Sequence, residues 1–318
     1  MLISQLLQIK LRYTLLLLGL LMLPVSSLAQ NVTLIYDESS RYQSHFVNSL
    51  SNQLLSNTDV NLTTITTASL SIDTLRKEPI DVIINVNNDT IQELIESNMH
   101  TPVFHALATL SRSISFAPCL PDCIKTHPNH HFFILDQPPA RQLNLIQLIH
   151  PGFKSIGILV TEQSKNQLIP LHKIAIRKNL SINEDVGNLK NVRYKIDAIS
   201  KASDVILAIA DTNIYNATSL PQILLTSYRY KTPVIGFSKG FIRAGALAGI
   251  VSNIEQLAQH ISEAIVELTN THKDLTTSII HPKYFNVISN RNVAKSLNLH
   301  FPNDNELKEK LMTYESVQ

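Results

Sequence analysis

The chain has 318 residues, with 27 basic side chains against 25 acidic ones. A formal charge of +2, with no concentrated basic stretch, removes nucleic acid from the expected partners, because phosphate binding needs a basic footprint. Nothing reads as a low-complexity linker or a repeat array.

Residues 1–29 read as a secretory signal. Lys10 and Arg12 precede the apolar run Leu15 to Leu23, and Pro24 leads to the small-residue ending Ser27-Leu28-Ala29. A membrane anchor is the alternative, but the apolar core is shorter than the roughly 20 residues a span requires. Cleavage after Ala29 removes two basic residues and no acid, leaving a neutral, soluble chain that begins at Gln30 and is expected in the periplasm. No Cys stands at the cleavage point to carry a lipid.

Val32 to Tyr36 is a short β-branched run, followed by the polar loop Asp37-Glu38-Ser39-Ser40 and by Phe46, Val47, Leu50 and Leu54 at helical spacing. The same strand, loop and helix recur at Val82 to Val86, Asn87-Asn88-Asp89, and Ile91, Leu94 and Ile95, with Asp89 suited to cap the helix. A third strand is expected at Pro102 to Phe104. Cys119 and Cys123 then stand four apart, and an exported chain predicts that they close as a disulfide. The alternative joins them with His127, His130 and His131 in a metal site, but the spacing fits no standard zinc pattern.

A strand at Phe132 to Asp136 leads through Gln137-Pro138-Pro139 into a helix carrying Leu143, Ile146 and Leu148. The second set of units contains strands at Ser155 to Val160, Asp204 to Ala210 and Thr232 to Phe237, with helices over Lys190 to Ile199 and Leu220 to Tyr228. Near-continuous apolar strands alternating with helices predict parallel sheets covered on both faces, an α/β architecture in two lobes. Ile254, Leu257, Ala258, Ile261, Ile265 and Leu268 form an amphipathic stripe. A strand within Pro282 to Ser289 and a short helix at Val293, Ala294 and Leu297 follow. The expected division is a first lobe over 30–135 with 253–275 returning to it, and a second over 136–252 with 276–318.

Ligands of such sheets sit beyond the carboxyl ends of the strands. The candidate ligand-facing residues are therefore Ser39, Ser40, Asn87, Asp89, Thr161, Glu162, Asp211, Thr212, Asn213, Ser238 and Gly245. Asp211 ends an apolar strand, where a carboxylate either accepts from a ligand ammonium group or caps a helix. Tyr36, Tyr42, Phe104, Tyr215 and Phe237 are the aromatic candidates for stacking.

Gly236-Phe237-Ser238-Lys239-Gly240 has the Gly-x-Ser-x-Gly form of a hydrolase elbow, and Asp274 and His281 follow in the required order. No oxyanion-hole glycine run stands upstream, so a strand-to-helix turn is the preferred reading. Glu162 and Asp211 are candidates for paired carboxylates, though carboxylates at loop ends are more often caps. Neither a Gly-x-Gly-x-x-Gly nor a P-loop follows a strand, and no cofactor is expected.

The C-terminal half resembles the ABC-type substrate-binding proteins of the tryptophan/tyrosine-binding-like group, within the type I periplasmic binding fold. The resemblance rests on Asp136-Gln137-Pro138, Ser203 to Asp211, Thr232 to Ser238, Ala244 to Ala248, and Asn290, Val293, Ala294, Ser296 and Leu297. It implies two lobes joined by three crossings that close on a small, amino-acid-like solute and hand it to a membrane permease driven by an ATPase. It also implies that Asp211 holds a ligand amino group and that Ser238 and Gly245-Ala246 line the cleft. The chain departs from the family at Asn87-Asn88-Asp89, where a glycine-containing loop is usual, and at Asn298. A membrane sensor is the alternative partner, and no catalysis is implied.

Overall fold

The computed structural model describes residues 30–57, 60–120, 122–271 and 275–316. The expected signal segment and Asp274 lie outside the described residues. Strands β1 (Gln30–Tyr36), β2 (Val60–Thr66), β3 (Val82–Asn85), β4 (Val103–Ala108) and β5 (His130–Ile134) alternate with helices α1 (Arg41–Asn57), α2 (Ile72–Lys77), α3 (Ile91–Glu96), α4 (Leu110–Phe116) and α5 (Cys123–Thr126). The second series runs α6 (Pro139–Ile149), β6 (Ser155–Val160), α7 (Ile169–Arg177), β7 (Ser181–Val186), α8 (Val192–Ala202), β8 (Val205–Leu207), α9 (Leu220–Arg229), β9 (Val234–Gly236), α10 (Lys239–Ala244) and β10 (Ala248–Val251). The chain continues with α11 (Ile254–Thr271), β11 (Ile279–Ile280), β12 (Asn286–Ser289), α12 (Arg291–Ser296) and α13 (Asp304–Ser316).

The first sheet has the order β11-β5-β4-β3-β1-β2, and every pairing in it is parallel. The second has the order β12-β10-β9-β8-β6-β7, parallel except where β12 runs against β10. Central strands such as β3 and β4 are buried at every residue because helices cover both faces, which is why they are apolar without alternation. The edge strand β2 alternates in exposure and carries threonines instead.

The stripe on α11 packs into the first lobe, where Leu257, Ala258, Ile261 and Ile265 meet Phe46, Leu50 and Leu54 of α1 over β1 and β3. Each such leucine or isoleucine contributes roughly 1.5–3 kcal/mol on burial. In the second lobe, Leu143, Ile146 and Ile149 of α6 share a core with β6 and with Leu307 and Leu311 of α13. Gly249 is required by close approach, since a Cβ there would stand 2.1 Å from the Gly236 carbonyl oxygen of β9.

The chain crosses between the lobes after β5, after β10 and after β11. Because β11 adds to β5, the segment returning to the first sheet extends past the expected limit at residue 275. Among the described residues no helix is long and apolar enough to cross a membrane. Cys119 and Cys123 are joined, with Cα atoms 4.8 Å apart, and Cys123 packs with Ile91 and Ile95 of α3. With both thiols in the disulfide, neither cysteine is a thiolate for the Cys/His alternative. His130 and His131 belong to β5, where their Nδ1 atoms meet His105 Nε2 at 3.0 Å and the Thr277 carbonyl at 3.0 Å.

Candidate functional site

The carboxyl ends of the two sheets open on a shared cleft. Its outer part, of about 500 Å³, is lined by Asn88, Thr109 and Arg112 from the first lobe and by Gln163, Thr212 and Asn213 from the second. Thr109 also reaches an inner chamber of about 210 Å³ at the crossings, walled by Leu135, Ala208, Ile209, Phe237 and their neighbours, with Asp136 and Ser238 among its polar groups. A polar vestibule therefore leads to a mostly apolar chamber.

Backbone irregularity shapes this junction. Leu107 has φ +63°, and the pairing of β4 with β5 slips between Ala106 and Ala108. A left-handed leucine costs about 1–2 kcal/mol, and pairing on both sides of the bulge holds it in place. The kink carries the chain into Thr109, whose hydroxyl accepts from Arg112 N and starts α4. Leu110 N in turn donates to Asp136 Oδ2 at 2.6 Å. Burial pushes the Asp136 carboxyl up to about 6, against the pull of the Leu110 and Asp136 backbone N–H groups.

All three crossings are tied together. Gln137 Nε2 donates to Ser252 Oγ at 3.1 Å, Ser252 Oγ donates to the Tyr284 carbonyl at 2.6 Å, and His281 Nδ1 donates to the Asp136 carbonyl at 2.8 Å. Buried Arg141 reaches Gln137 Oε1 at 2.7 Å, the Pro282 carbonyl at 2.8 Å and both carboxylate oxygens of Glu315 in the last turn of α13. Its guanidinium also lies over the Phe285 ring at 4.0 Å.

The carboxylate expected to hold a ligand is occupied by the protein itself. Asp211 is fully buried, and its Oδ2 accepts from Thr161 Oγ1 at 2.7 Å and Ser164 Oγ at 2.5 Å, with Thr161 N at 3.4 Å. Its Oδ1 accepts from Asn213 N at 3.0 Å. Asp211 thus clasps the loops after β6 and β8, and the exposed Thr212 and Asn213 that it positions face the cleft instead. Thr161 belongs to the same clasp, and Gln163 lines the cleft where the exposed Glu162 does not.

The remaining candidates divide in the same way. Ser39 donates to Asp37 Oδ1, and Ser40 Oγ accepts from Gln43 N at the start of α1, so both act within their own turn. Asn87 is buried and accepts from Asp89 N, while its neighbour Asn88 lines the cleft. Asp89 stands 3.5 Å from Arg112 in a solvent-exposed pair. Ser238 lines the inner chamber and caps α10 by accepting from Phe241 N at 3.1 Å. Its φ of −144° and ψ of 153° are ordinary extended values, without the strained turn of a nucleophile elbow. Gly245 ends α10 with φ +133° against Leu224 and is not among the residues lining either part of the cleft. Of the aromatic candidates, Phe104 and Tyr215 are buried in the cores, and Phe237 lines the chamber.

Two parallel-sheet lobes joined by three crossings, with a cleft at the strand ends, define the type I periplasmic-binding-protein fold. The chain belongs to the ABC transporter substrate binding protein family, whose profile matches residues 50–309. No curated protein matches it in sequence. Among solved structures it is similar to a ligand-free, open substrate-binding protein with adhesive properties from Clostridium difficile, at 17% identity and a TM-score of 0.63 over 87% of this chain and 97% of that one. It is also similar to an ABC domain in complex with L-Trp from Streptococcus pneumonia, at 17% identity and a TM-score of 0.55, with the same coverage. A conserved domain protein from Vibrio cholerae is similar at 18% identity and a TM-score of 0.55, again over 87% and 97%.

Proposed function

We propose that this chain is the non-enzymatic solute-binding subunit of an ABC-type uptake system, and that its lobes close on a small, amino-acid-like solute for delivery to a membrane permease and its ATPase. Export by cleavage after Ala29 would place it in the periplasm, with a first lobe of residues 30–135 plus the segment through β11 and a second lobe built from the rest. The observation that carries the reading is the meeting of neutral hydrogen-bonding groups from both lobes, Asn88 and Thr109 opposite Gln163 and Thr212, across one cleft. Such a cleft removes a solute from water only when closed, and closure then depends on the solute supplying partners for these groups. The L-Trp bound to the Streptococcus pneumonia neighbour supports an amino-acid-like ligand, and the 210 Å³ chamber is suited to a compact side chain.

A thermal-shift screen of the chain starting at Gln30, against amino acids, nucleosides, sugars and small organic acids, tests the reading. A solute that raises the unfolding midpoint in proportion to the logarithm of its concentration is expected. Failure of every class to move it contradicts a solute-binding role.

A further inference from the structure

We propose that Asp136, at the first crossing between the lobes, recognises a protonated amine of the solute in the inner chamber. The inference rests on the solute-binding reading above and names the charge that the solute must carry.

Asp136 is the one ionisable side chain lining this chamber among the described residues. Leu110 N donates to its Oδ2, and no described side chain donates to either oxygen. The neighbouring amides donate elsewhere, Gln137 Nε2 to Ser252 Oγ and Gln142 Nε2 to the Gln137 carbonyl, and neither donates to the Asp136 carboxylate. Ser238 Oγ is used as an acceptor by Phe241 N. The chamber therefore holds a buried carboxylate with spare accepting capacity, to which no described side chain donates. That carboxylate is matched by a solute that donates to it, and a positive charge matches it best.

The charged groups packed around Asp136 do not supply that match. His281 meets the Asp136 backbone carbonyl and not the carboxylate. Arg141, one turn further into α6, is held by Glu315, Gln137 Oε1 and the Pro282 carbonyl. Arg112 lies over the Phe116 ring at 4.5 Å, near Asp89. Asp211, the other buried carboxylate near the cleft, has its oxygens filled by Thr161, Ser164 and Asn213. Burial raises the Asp136 carboxyl to about 6, as expected of a charge awaiting its partner. Because the same residue accepts from α4 of the first lobe and from His281 near the third crossing, a cation seated here touches the hinge itself.

The test is calorimetry at pH 7.5 and pH 5 on wild type and Asp136→Asn. The probes are L-amino acids, the 2-hydroxy acids of the same carbon skeletons, and a set of sugars and nucleosides. An L-amino acid is expected to bind where its 2-hydroxy counterpart does not. Its affinity should fall about tenfold from pH 7.5 to pH 5, as Asp136 takes up a proton, and roughly tenfold or more in Asp136→Asn at pH 7.5. Asn retains an oxygen for Leu110 N, and circular dichroism checks the fold; should the variant not fold, the wild-type pH dependence decides alone. Equal binding of the hydroxy acid, an unchanged affinity in Asp136→Asn or at pH 5, or binding of sugars or nucleosides alone overturns the inference while leaving solute binding intact. Binding of no probe from any set overturns the solute-binding reading and this inference with it.

Discussion

Asp211→Asn separates a structural clasp from a ligand anchor. In the folded chain Asp211 is fully buried and takes two hydroxyl donors and two backbone N–H groups. An asparagine keeps the shape but offers only one accepting oxygen. If that oxygen stays with Asn213 N, the new NH₂ faces Thr161 and Ser164, whose hydroxyls must turn from donors into acceptors while Thr161 N loses its contact. Hydrogen bonds to a charged group are worth about 1.5–3 kcal/mol each, and partial rearrangement leaves a net loss of about 2–4 kcal/mol. For a lobe of this size that is a fall in Tm on the order of 5–15 °C. Urea unfolding followed by circular dichroism, beside calorimetry with any solute found by screening, reads both quantities. The structure predicts a destabilised protein that, while folded, binds its solute within about threefold of wild type. A stable variant with abolished binding would refute the clasp and return Asp211 to the role of ligand anchor.

Acid should weaken the first lobe. Burial lowers His130 to about 4 and lowers His105 beside it, so stability is full above the unfolded histidine value near 6.5 and is lost as pH falls through 6.5 toward 4. His130 alone accounts for about 3 kcal/mol of that loss, readable as a falling urea midpoint between pH 7.5 and pH 4.5, and a flat profile would contradict the assignment. Ser238→Ala should cost about 1 kcal/mol as a lost helix cap, and active-site serine probes should leave the wild type unlabelled. Arg141→Met leaves the Pro282 carbonyl and Gln137 Oε1 without their buried donor while the exposed Glu315 turns to solvent, and a loss of about 1–3 kcal/mol in denaturant unfolding is expected.

The architecture was legible wherever strands are buried on both faces. Val82 to Val86, Ser155 to Val160 and Val205 to Ala210 are apolar because helices cover them, and the α11 stripe is apolar because it packs on α1 and β1. Edge strands escaped notice for the converse reason. β2 reads Val-Asn-Leu-Thr-Thr-Ile-Thr and β7 reads Ser-Ile-Asn-Glu-Asp-Val, mixtures that a loop would also carry. α13, whose mostly polar sequence buries only Leu307 and Leu311, was equally faint. The site was half legible. Loops at strand ends located Thr212, Asn213 and Ser238, but a carboxylate at a strand end looks the same whether its oxygens face a ligand or two nearby hydroxyls. Thr109 and Arg112 follow a kink at Leu107 that no glycine announces, and Asp136 was visible as a strand end and as part of a family motif but not as a ligand-facing candidate.

Calorimetry on a cleft-filling variant tests the central claim most directly. Asn213 is exposed to the cleft, and its structural contact is made through its backbone N–H, so Asn213→Trp fills the opening without breaking the Asp211 clasp. The solute that stabilises wild type is expected to bind it at one per chain, and to bind Asn213→Trp at least roughly tenfold more weakly with an unchanged unfolding midpoint. Equal affinity in the two proteins would place the solute outside the cleft and contradict the account.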